Sequence, residues 1–440
     1  MKALPPRRPR WTVVAAVLVT ALALASCSPG DLGSGDGKVS LTFLVDNSDA
    51  SVRPAEGLAK AFGEKYPDVQ VEVEVRPQGG EGDNVVKTRL STGDMTDVFL
   101  YNSGSLLQAL KPAETLVSLK GEGFLANVQD TFFPTVSAGD GVFGVPIGGA
   151  MGGGVLYNRA VYSRLGLQVP RTWAEFMANN AKIKAAGVAP VVQTYQDTWT
   201  SQMFVLADYH NVAAAEPRFA DDYTANRTSY ARSPAALKGF QRLQEVHDAG
   251  YLSPDFASAK YEDGLRLLAA GQGAHFPILT FVVGTLVANH PDKVDDIGFF
   301  ALPGDDAAKN GLTVWTPSGI YIPKTTGGEK LAAAKRFLAF VASPEGCAAQ
   351  TKAYAPTGPY VVKDCPLPDD LPRAVKDMLP YFAAAGGTTP ALEFVSPVKG
   401  PALEQITVEV GSGIRSAADG AALYDRDVEK QAKQLGLPGW

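Results

Sequence analysis

Apolar and polar positions along this chain repeat in two different periods, and each switch of period marks an element. Val39 to Val45 is a short apolar run suited to a buried strand, and it stops at the polar cluster Asp46-Asn47-Ser48-Asp49. Leu58, Phe62 and Tyr66 then recur on one helical face, with Pro67 as the stop. Val69 to Val75 alternates valine with Gln or Glu, which predicts a strand with one wet face. A helix is expected over Val85 to Leu90 and a further strand over Asp97 to Tyr101. Strand, helix, strand, helix, strand is the order of a parallel sheet with crossover helices, so the fold class is α/β.

Later helices are marked by their caps. Thr172-Trp173-Ala174-Glu175 is a capping box, in which the threonine hydroxyl and the glutamate carboxylate satisfy free N–H groups of the first turn. Ser233-Pro234 opens another helix, with Leu237, Phe240, Leu243 and Val246 down one face and Gly250 at the end. Ser343-Pro344-Glu345 repeats that opening after an apolar helix over Leu331 to Phe340. Pro190 to Gln193 and Ala274 to Leu279 read as strands, and Phe204 to Tyr209 as helical.

At 440 residues, with 45% apolar and 20% charged positions, the chain has room for two or three domains with a sizeable core. Its 45 glycines and 31 prolines follow no G-x-y period, which excludes a collagen-like chain. The formal charge is -6, and four of the bases (Lys2, Arg7, Arg8, Arg10) lie in the first 26 residues without an acid, so the remainder is more acidic still. That balance argues against nucleic acid as a partner.

The N-terminus has the layout of a signal peptide, residues 1–26: the basic stretch Met1 to Arg10, then an apolar run from Trp11 to Ser26 that is short for a membrane span. It ends in Leu24-Ala25-Ser26-Cys27, which resembles the bacterial lipobox and makes Cys27 the expected site of lipidation. Residues 27–37 then read as a glycine-rich tether holding the folded body at a membrane. Of the three cysteines, Cys27 takes the lipid and leaves Cys347 and Cys365, an even number in an exported setting. Paired, they would contribute about 3 kcal/mol in the chain-entropy model; the alternative is two free buried thiols.

Motifs for catalysis are thin. Gly139-x-Gly141-x-x-Gly144 matches a dinucleotide fingerprint by letter, but Gly144 leads into Val145-Pro146 and opens no helix. There is no phosphate-binding G-x-x-x-x-G-K-[ST] loop and no G-x-S-x-G, and His210, His247, His275 and His290 show no metal spacing. Ser396-x-x-Lys399 contains Pro397 and lacks its partner motifs. No metal and no cofactor are expected, and the chain reads as a non-enzyme. A glycosidase-like carboxylate pair among 46 acids leaves a secreted carbohydrate-active enzyme as an alternative.

Several short motifs occur in a telling order. T-D-V-F-L-Y at Thr96 to Tyr101 and F-G-V-P at Phe143 to Pro146 precede L-Y-N-R at Leu156 to Arg159 and P-x-T-W-x-E-F at Pro170 to Phe176. L-x-A-G-x-x-A at Leu268 to Ala274, G-x-x-x-L-P-G at Gly298 to Gly304, S-G-I-Y-I-P at Ser318 to Pro323 and S-P-E-G at Ser343 to Gly346 follow. Together with the lipobox they resemble the carbohydrate-binding, maltose-binding-protein-like family of extracellular solute-binding proteins of ABC importers.

The resemblance implies a two-lobed periplasmic-binding-protein-like fold with three hinge crossings and a central ligand cleft that closes on its solute. It divides the chain into a first lobe of 38–147 plus 274–314 and a second of 148–273 plus 315–440. The expected ligand is a neutral mono- or oligosaccharide, delivered by a lipid-anchored monomer to the importer's permease subunits. A polyol or a glycerol-phosphate-type solute is the alternative within the fold. Phosphate should recruit arginine, and the only basic residue near the first loop is Arg53.

Sugars offer flat C–H faces and rings of hydroxyls, which call for aromatic planes and for amides or carboxylates. Ligands of open α/β sheets bind outside the carboxyl ends of strands, where Asp46, Asn47 and Asp49 follow the first strand and Tyr101 and Asn102 the third. The run Gly148 to Gly154 is expected at the first crossing, with Gly149 and Met151 at the ligand. The resemblance adds Trp199 and Phe281, and Trp315 with Ser318 and Gly319 at the third crossing. Glu81 and Asp83 lie in a glycine-rich loop that either faces the cleft or is solvated.

Overall fold

The computed structural model describes residues 37–440. The signal peptide, Cys27 and all but the last residue of the tether lie outside the described residues.

Two sheets carry the architecture. β1 (Val39–Asp46), β2 (Val69–Arg76) and β3 (Val98–Tyr101) are parallel, with Val39 facing Val69 and Phe43 facing Val98. The helices between them are α1 (Asp49–Lys65) and α2 (Gly79–Thr92). Leu58 and Phe62 on α1 are fully buried, as their helical spacing requires. α2 begins earlier than expected: the glycines before Val85 form its first turns, which puts Glu81 and Asp83 on a helix instead of a loop. A small hairpin, β4 (Ser137–Ala138) and β5 (Gly141–Val142), places Gly139 in its turn and Gly141 at the start of β5. β6 (Gly144–Ile147) is the edge of the first sheet.

The chain then crosses into the second sheet. β7 (Met151–Asn158) lies between β9 (Gly273–Leu279) on one side and both β10 (Ile297–Ala301) and β11 (Leu312–Trp315) on the other, all antiparallel to it. β8 (Ala189–Val191) extends the sheet beyond β9. After Trp315 the chain returns to the first sheet as β12 (Ser318–Tyr321), inserted between β3 and β6. β13 (Thr388–Pro390) is added beside β11 after the last crossing.

The expected lobe division needs one correction. Residues 274–314 belong to the second lobe, because β9, β10 and β11 pair with β7 or its neighbours and bury Phe276, Ile278 and Phe299 in cores on that sheet. The first lobe instead receives β12 and the helix Gly328–Val341, whose Phe337, Leu338 and Val341 fill the core around Phe43 and Phe62. The chain leaves it again before Leu371, which packs in a second-lobe core with Val375 and Met378.

Three crossings therefore join the lobes: 148–150, 316–317, and the stretch between Tyr354 and Leu371. The first and third are tied together, since the Ala150 N–H donates to the Pro359 carbonyl at 2.7 Å and Gly149 bridges Tyr360. Cys347 and Cys365 form a disulfide over 18 positions, pinning this third crossing to the helix Pro344–Ala353 of the first lobe. The caps form as expected: Thr172 and Glu175 make the reciprocal box, and the Ser233 and Ser343 hydroxyls accept from the Ala236 and Gly346 N–H groups. The glycine run divides: Gly148, at φ 81°, and Gly149 lie in the crossing, whereas Gly152 to Gly154 belong to β7.

His275 on β9 is buried between two polar partners. Its Nδ1–H donates to Asn180 Oδ1 at 2.8 Å, and its Nε2 accepts from the Tyr162 hydroxyl at 2.7 Å. Burial lowers its pKa to about 3, so the ring stays neutral in the fold. The unfolded chain takes up that proton below about pH 6.5, so His275 lowers stability by about 1.4 kcal/mol for each further pH unit down to its folded value. Denaturant unfolding of wild type and His275→Gln at pH 7 and pH 5 should therefore show the variant gaining about 2 kcal/mol relative to wild type on acidification. Parallel pH profiles would contradict the burial of a neutral ring.

Candidate functional site: a cleft between the lobes

The carboxyl ends of β1, β2, β3 and β6 face the cleft-side ends of β7, β9 and β11 across a cavity of about 1050 Å³. Among the expected residues, Asp46, Asn47, Asn102, Gly149, Met151, Trp199, Phe281, Trp315 and Ser318 all line it. Asp49, Tyr101 and Gly319 do not. Asp49 lies on α1 and pairs with Arg53 at 3.2 Å. Tyr101 is 1% exposed, because the last residue of β3 points its ring into the first-lobe core. Gly319 packs under the Tyr321 ring.

On the second-lobe wall, the Trp199 ring lies 5.6 Å from Phe281 and 5.8 Å from Tyr261, forming an aromatic patch. The Trp199 indole N–H is buried without a partner. Trp315 sits at the end of β11, is 6% exposed, and packs the edge of its ring against β7, where a methyl on Gly153 would collide with its Cζ3. Its indole N–H donates to Glu393, whose other oxygen accepts from Lys399 Nζ at 3.0 Å, so an ion pair fixes the ring's rotation. Both members of that pair line the cleft. Lys399 of the Ser396-x-x-Lys399 sequence thus lies in the cleft lining.

The first-lobe wall is polar. Asp46 accepts from the Ser48 N–H at 3.0 Å and from the Ser48 and Ser51 hydroxyls, which spends much of it on holding the start of α1. Asn47 accepts from Gln78 Nε2 at 3.4 Å, and both line the cleft. Arg76, at the end of β2, is 7% exposed; it donates to the Pro77 carbonyl at 3.0 Å and leaves its Nε without a partner. Burial pushes the Asp83 carboxyl upward, and Lys87, Arg76 and Lys399 pull it part of the way back. Burial also raises Glu262, beside Asp197 on the opposite wall. Tyr101 is held far above its ordinary value, first by burial and then by the Asp83 charge.

The lobes touch at both ends of the cleft. At the α2 end, a methyl on Gly79 would stand 3.8 Å from Trp199 Cδ1, and one on Gly80 would stand 2.8 Å from Glu404 Oε1. Glu404 is buried and accepts from the Thr198 hydroxyl at 2.7 Å. At the other end, Gly104 lies against the Glu393 carbonyl and the Phe394 ring. Near the crossings, the Tyr354 hydroxyl donates to the Phe281 carbonyl at 2.9 Å.

Arg76, Tyr261, Glu393, Lys399 and Glu404 were not expected at the site. The neighbours of the last four are set by tertiary packing, and no local pattern marks them. The strand-end rule that pointed to Asp46 and Asn102 applies equally to Arg76 at the end of β2.

A cavity between two α/β lobes, joined by three crossings and lined by aromatic rings and hydrogen-bonding groups, defines a hinged solute-binding protein. The sequence profile of the bacterial extracellular solute-binding proteins matches residues 48–347, more than half of the chain, and the protein belongs to that family. A multiple sugar-binding protein of Streptococcus mutans is 26% identical over 307 residues, which is 67% of this chain and 70% of the relative. The melibiose/raffinose/stachyose-binding protein MelE of Bacillus subtilis is 24% identical over 364 residues, 80% of this chain and 82% of the relative. A solved chitin oligosaccharide binding protein superposes with a TM-score of 0.78 at 20% identity, covering 90% of this chain and 99% of its own. The family and these relatives are binding proteins, and among the described residues no helix is long and apolar enough to cross a membrane.

If Trp315 is held by its seat on Gly153, then Gly153→Ala must displace the ring. Overpacking of this kind costs about 1–3 kcal/mol. Denaturant unfolding should show that loss, and the protein's intrinsic tryptophan emission should shift as Trp315 leaves Glu393. An unchanged spectrum and stability would show that the ring does not rest on β7.

Proposed function

We propose that this protein is a lipid-anchored receptor that captures a neutral mono- or oligosaccharide on the extracytoplasmic face of the cell membrane and delivers it to an ABC importer. The observation that carries the reading is the composition of the cleft: Trp199, Phe281 and Trp315 on one wall, Asp46, Asn47 and Asn102 opposite. Flat aromatic faces stack on sugar C–H faces, while amides and carboxylates take up hydroxyl pairs. The names of the two curated relatives support the same class of ligand. The anchor in this reading is the thiol of Cys27, which follows Leu24-Ala25-Ser26.

The phosphate-ester alternative gains something from Arg76, which lines the cleft as Arg53 does not. Carboxylates nevertheless outnumber cations among the lining side chains by seven to four. Arg76 and Lys87 face Asp83, and Lys399 is bonded to Glu393. The local field is therefore unfavourable to a dianion, and a neutral solute fits better.

A thermal-shift screen of the purified protein against neutral sugars, polyols and sugar phosphates tests the class. Ligand at 100 times its dissociation constant should add about 2.7 kcal/mol of stability. A shift with a neutral sugar that is recovered unchanged supports the receptor. A shift with sugar phosphates alone would move the assignment to the phosphate-ester class, and chemical conversion of the sugar would make the protein an enzyme. Trp199→Ala should weaken sugar binding by about 1–3 kcal/mol; intact affinity with lost stability would place Trp199 in the core only.

A further inference from the structure

The loop enclosed by the disulfide joins the two lobes with almost no slack. Both of its ends belong to the first lobe. Cys347 lies in the helix Pro344–Ala353, whose last residue packs so closely on α1 that a methyl on Gly57 would collide with the Ala353 side chain. At the other end, the Gln129 N–H donates to the Val361 carbonyl at 2.8 Å and the Lys363 N–H donates to the Asn127 carbonyl at 2.7 Å, while Val361 itself is buried in the first-lobe core.

The tip of the loop sits on the second lobe. Tyr354, the residue directly after that helix, presses the hydroxyl end of its ring against Gly284, where a methyl would collide with it. Its hydroxyl donates to the Phe281 carbonyl at 2.9 Å and lies 3.2 Å from the Thr285 hydroxyl. Further along, the Thr357 carbonyl accepts from the Thr280 hydroxyl at 3.0 Å, and Gly358 packs against Met378 of a second-lobe core. Phe281 is the cleft-wall ring beside Trp199, and Thr280 also accepts from the Gly152 N–H of β7 at 3.0 Å. The tip therefore holds the turn that carries part of the cleft wall.

A rotation between the lobes has to break one of these two sets of contacts. Pro356 and Pro359 stiffen the chain between them, so it cannot stretch to keep both. The disulfide decides which set breaks. With Cys365 bonded to Cys347, residues 360–365 stay on the first lobe, and opening must undock Tyr354 and Thr357. Without the bond, 360–365 can leave with the tip, and the Tyr354 contacts survive opening.

Resting on the hinged-receptor reading, we infer that this loop is a latch on the hinge. Closed by the Cys347–Cys365 bond, it stabilises the form in which the lobes meet, and Tyr354 is the positioning residue that ties that form to the Phe281 wall. The latch raises the share of the binding-competent form before any solute arrives, and apparent affinity scales with that share.

Single-molecule energy transfer between dyes at Ser91→Cys on the first lobe and Ile414→Cys on the second, both exposed, reads the ratio of open to closed protein without added solute. Cys27 is changed to serine to leave no other free thiol. Tyr354→Phe removes the hydroxyl and keeps the ring. Losing this hydrogen bond should raise the open-to-closed ratio about two- to tenfold in the disulfide-bonded protein. In a Cys347→Ala, Cys365→Ala background the ratio should already be raised, and Tyr354→Phe should change it by less than about twofold. That non-additivity separates a latch from a residue that only supports the local fold. Where the double alanine variant does not fold, reduction of the bonded protein with a phosphine gives the same comparison. Equal effects of Tyr354→Phe with and without the bond, or no effect in either, would overturn the latch. Unfolding whenever the bond is removed, read by circular dichroism, would overturn it too, because the bond would then be a staple of the fold. No solute is present, so failure of the sugar reading in the thermal-shift screen leaves this result readable, and loss of the latch leaves the receptor standing.

Discussion

Three consecutive residues of β7 without side chains, Gly152 to Gly154, let the centre of the second lobe pack around a bare strand. A methyl on Gly152 would meet Met378 and Phe299, one on Gly153 the Trp315 ring, and one on Gly154 Phe299 and the Phe300 carbonyl. The strand spends backbone rigidity on this, since glycine weakens a strand. In return the large rings of β10 and β11 lie directly against the backbone, and Trp315 reaches the cleft edge with its plane fixed. The same strand begins immediately after the first crossing, so the hinge, the sheet centre and one wall of the cleft meet within a few residues.

The polar side of the cleft depends on pairing. Burying a charge without a partner is costly, and the buried and half-buried carboxylates here have partners with specific jobs: Glu393 orients Trp315, Glu404 holds Thr198 beside Trp199, and Asp46 secures the start of α1. Arg76 Nε and the Trp199 indole N–H are buried donors left open. The walls are therefore already oriented when the lobes meet, which limits the ordering a ligand must impose.

Much of this was legible in local sequence, and the boundary is physical. Caps at Thr172, Ser233 and Ser343 act within four residues, and each formed as its pattern requires. The strand–polar turn pattern placed Asp46, Asn47 and Asn102 at the cleft, because strand ends of one sheet must emerge on one side. Tyr101 followed the same rule and failed, since residues alternate faces along a strand and the last one pointed inward. The lobe membership of 274–314 was not legible: an apolar run such as Gly273–Leu279 fits the centre of either sheet, and only pairing with β7 decides between them. Glu393, Lys399 and Glu404 lie far along the chain from Trp315 and Trp199, so their roles appear only once the last crossing has brought the C-terminal helices back over the cleft.

If two rigid lobes close on a solute about the three crossings, their separation must fall when it binds. Spin labels at Ser91→Cys on the first lobe and Ile414→Cys on the second, both exposed, report the separation of the lobes. Pulsed electron resonance on the doubly labelled protein, with and without the sugar that gives the largest thermal shift, measures that distance directly. Closure should turn a broad or longer distance without sugar into one shorter distance at saturation. A distance distribution unchanged by a saturating sugar would contradict closure as the means of capture.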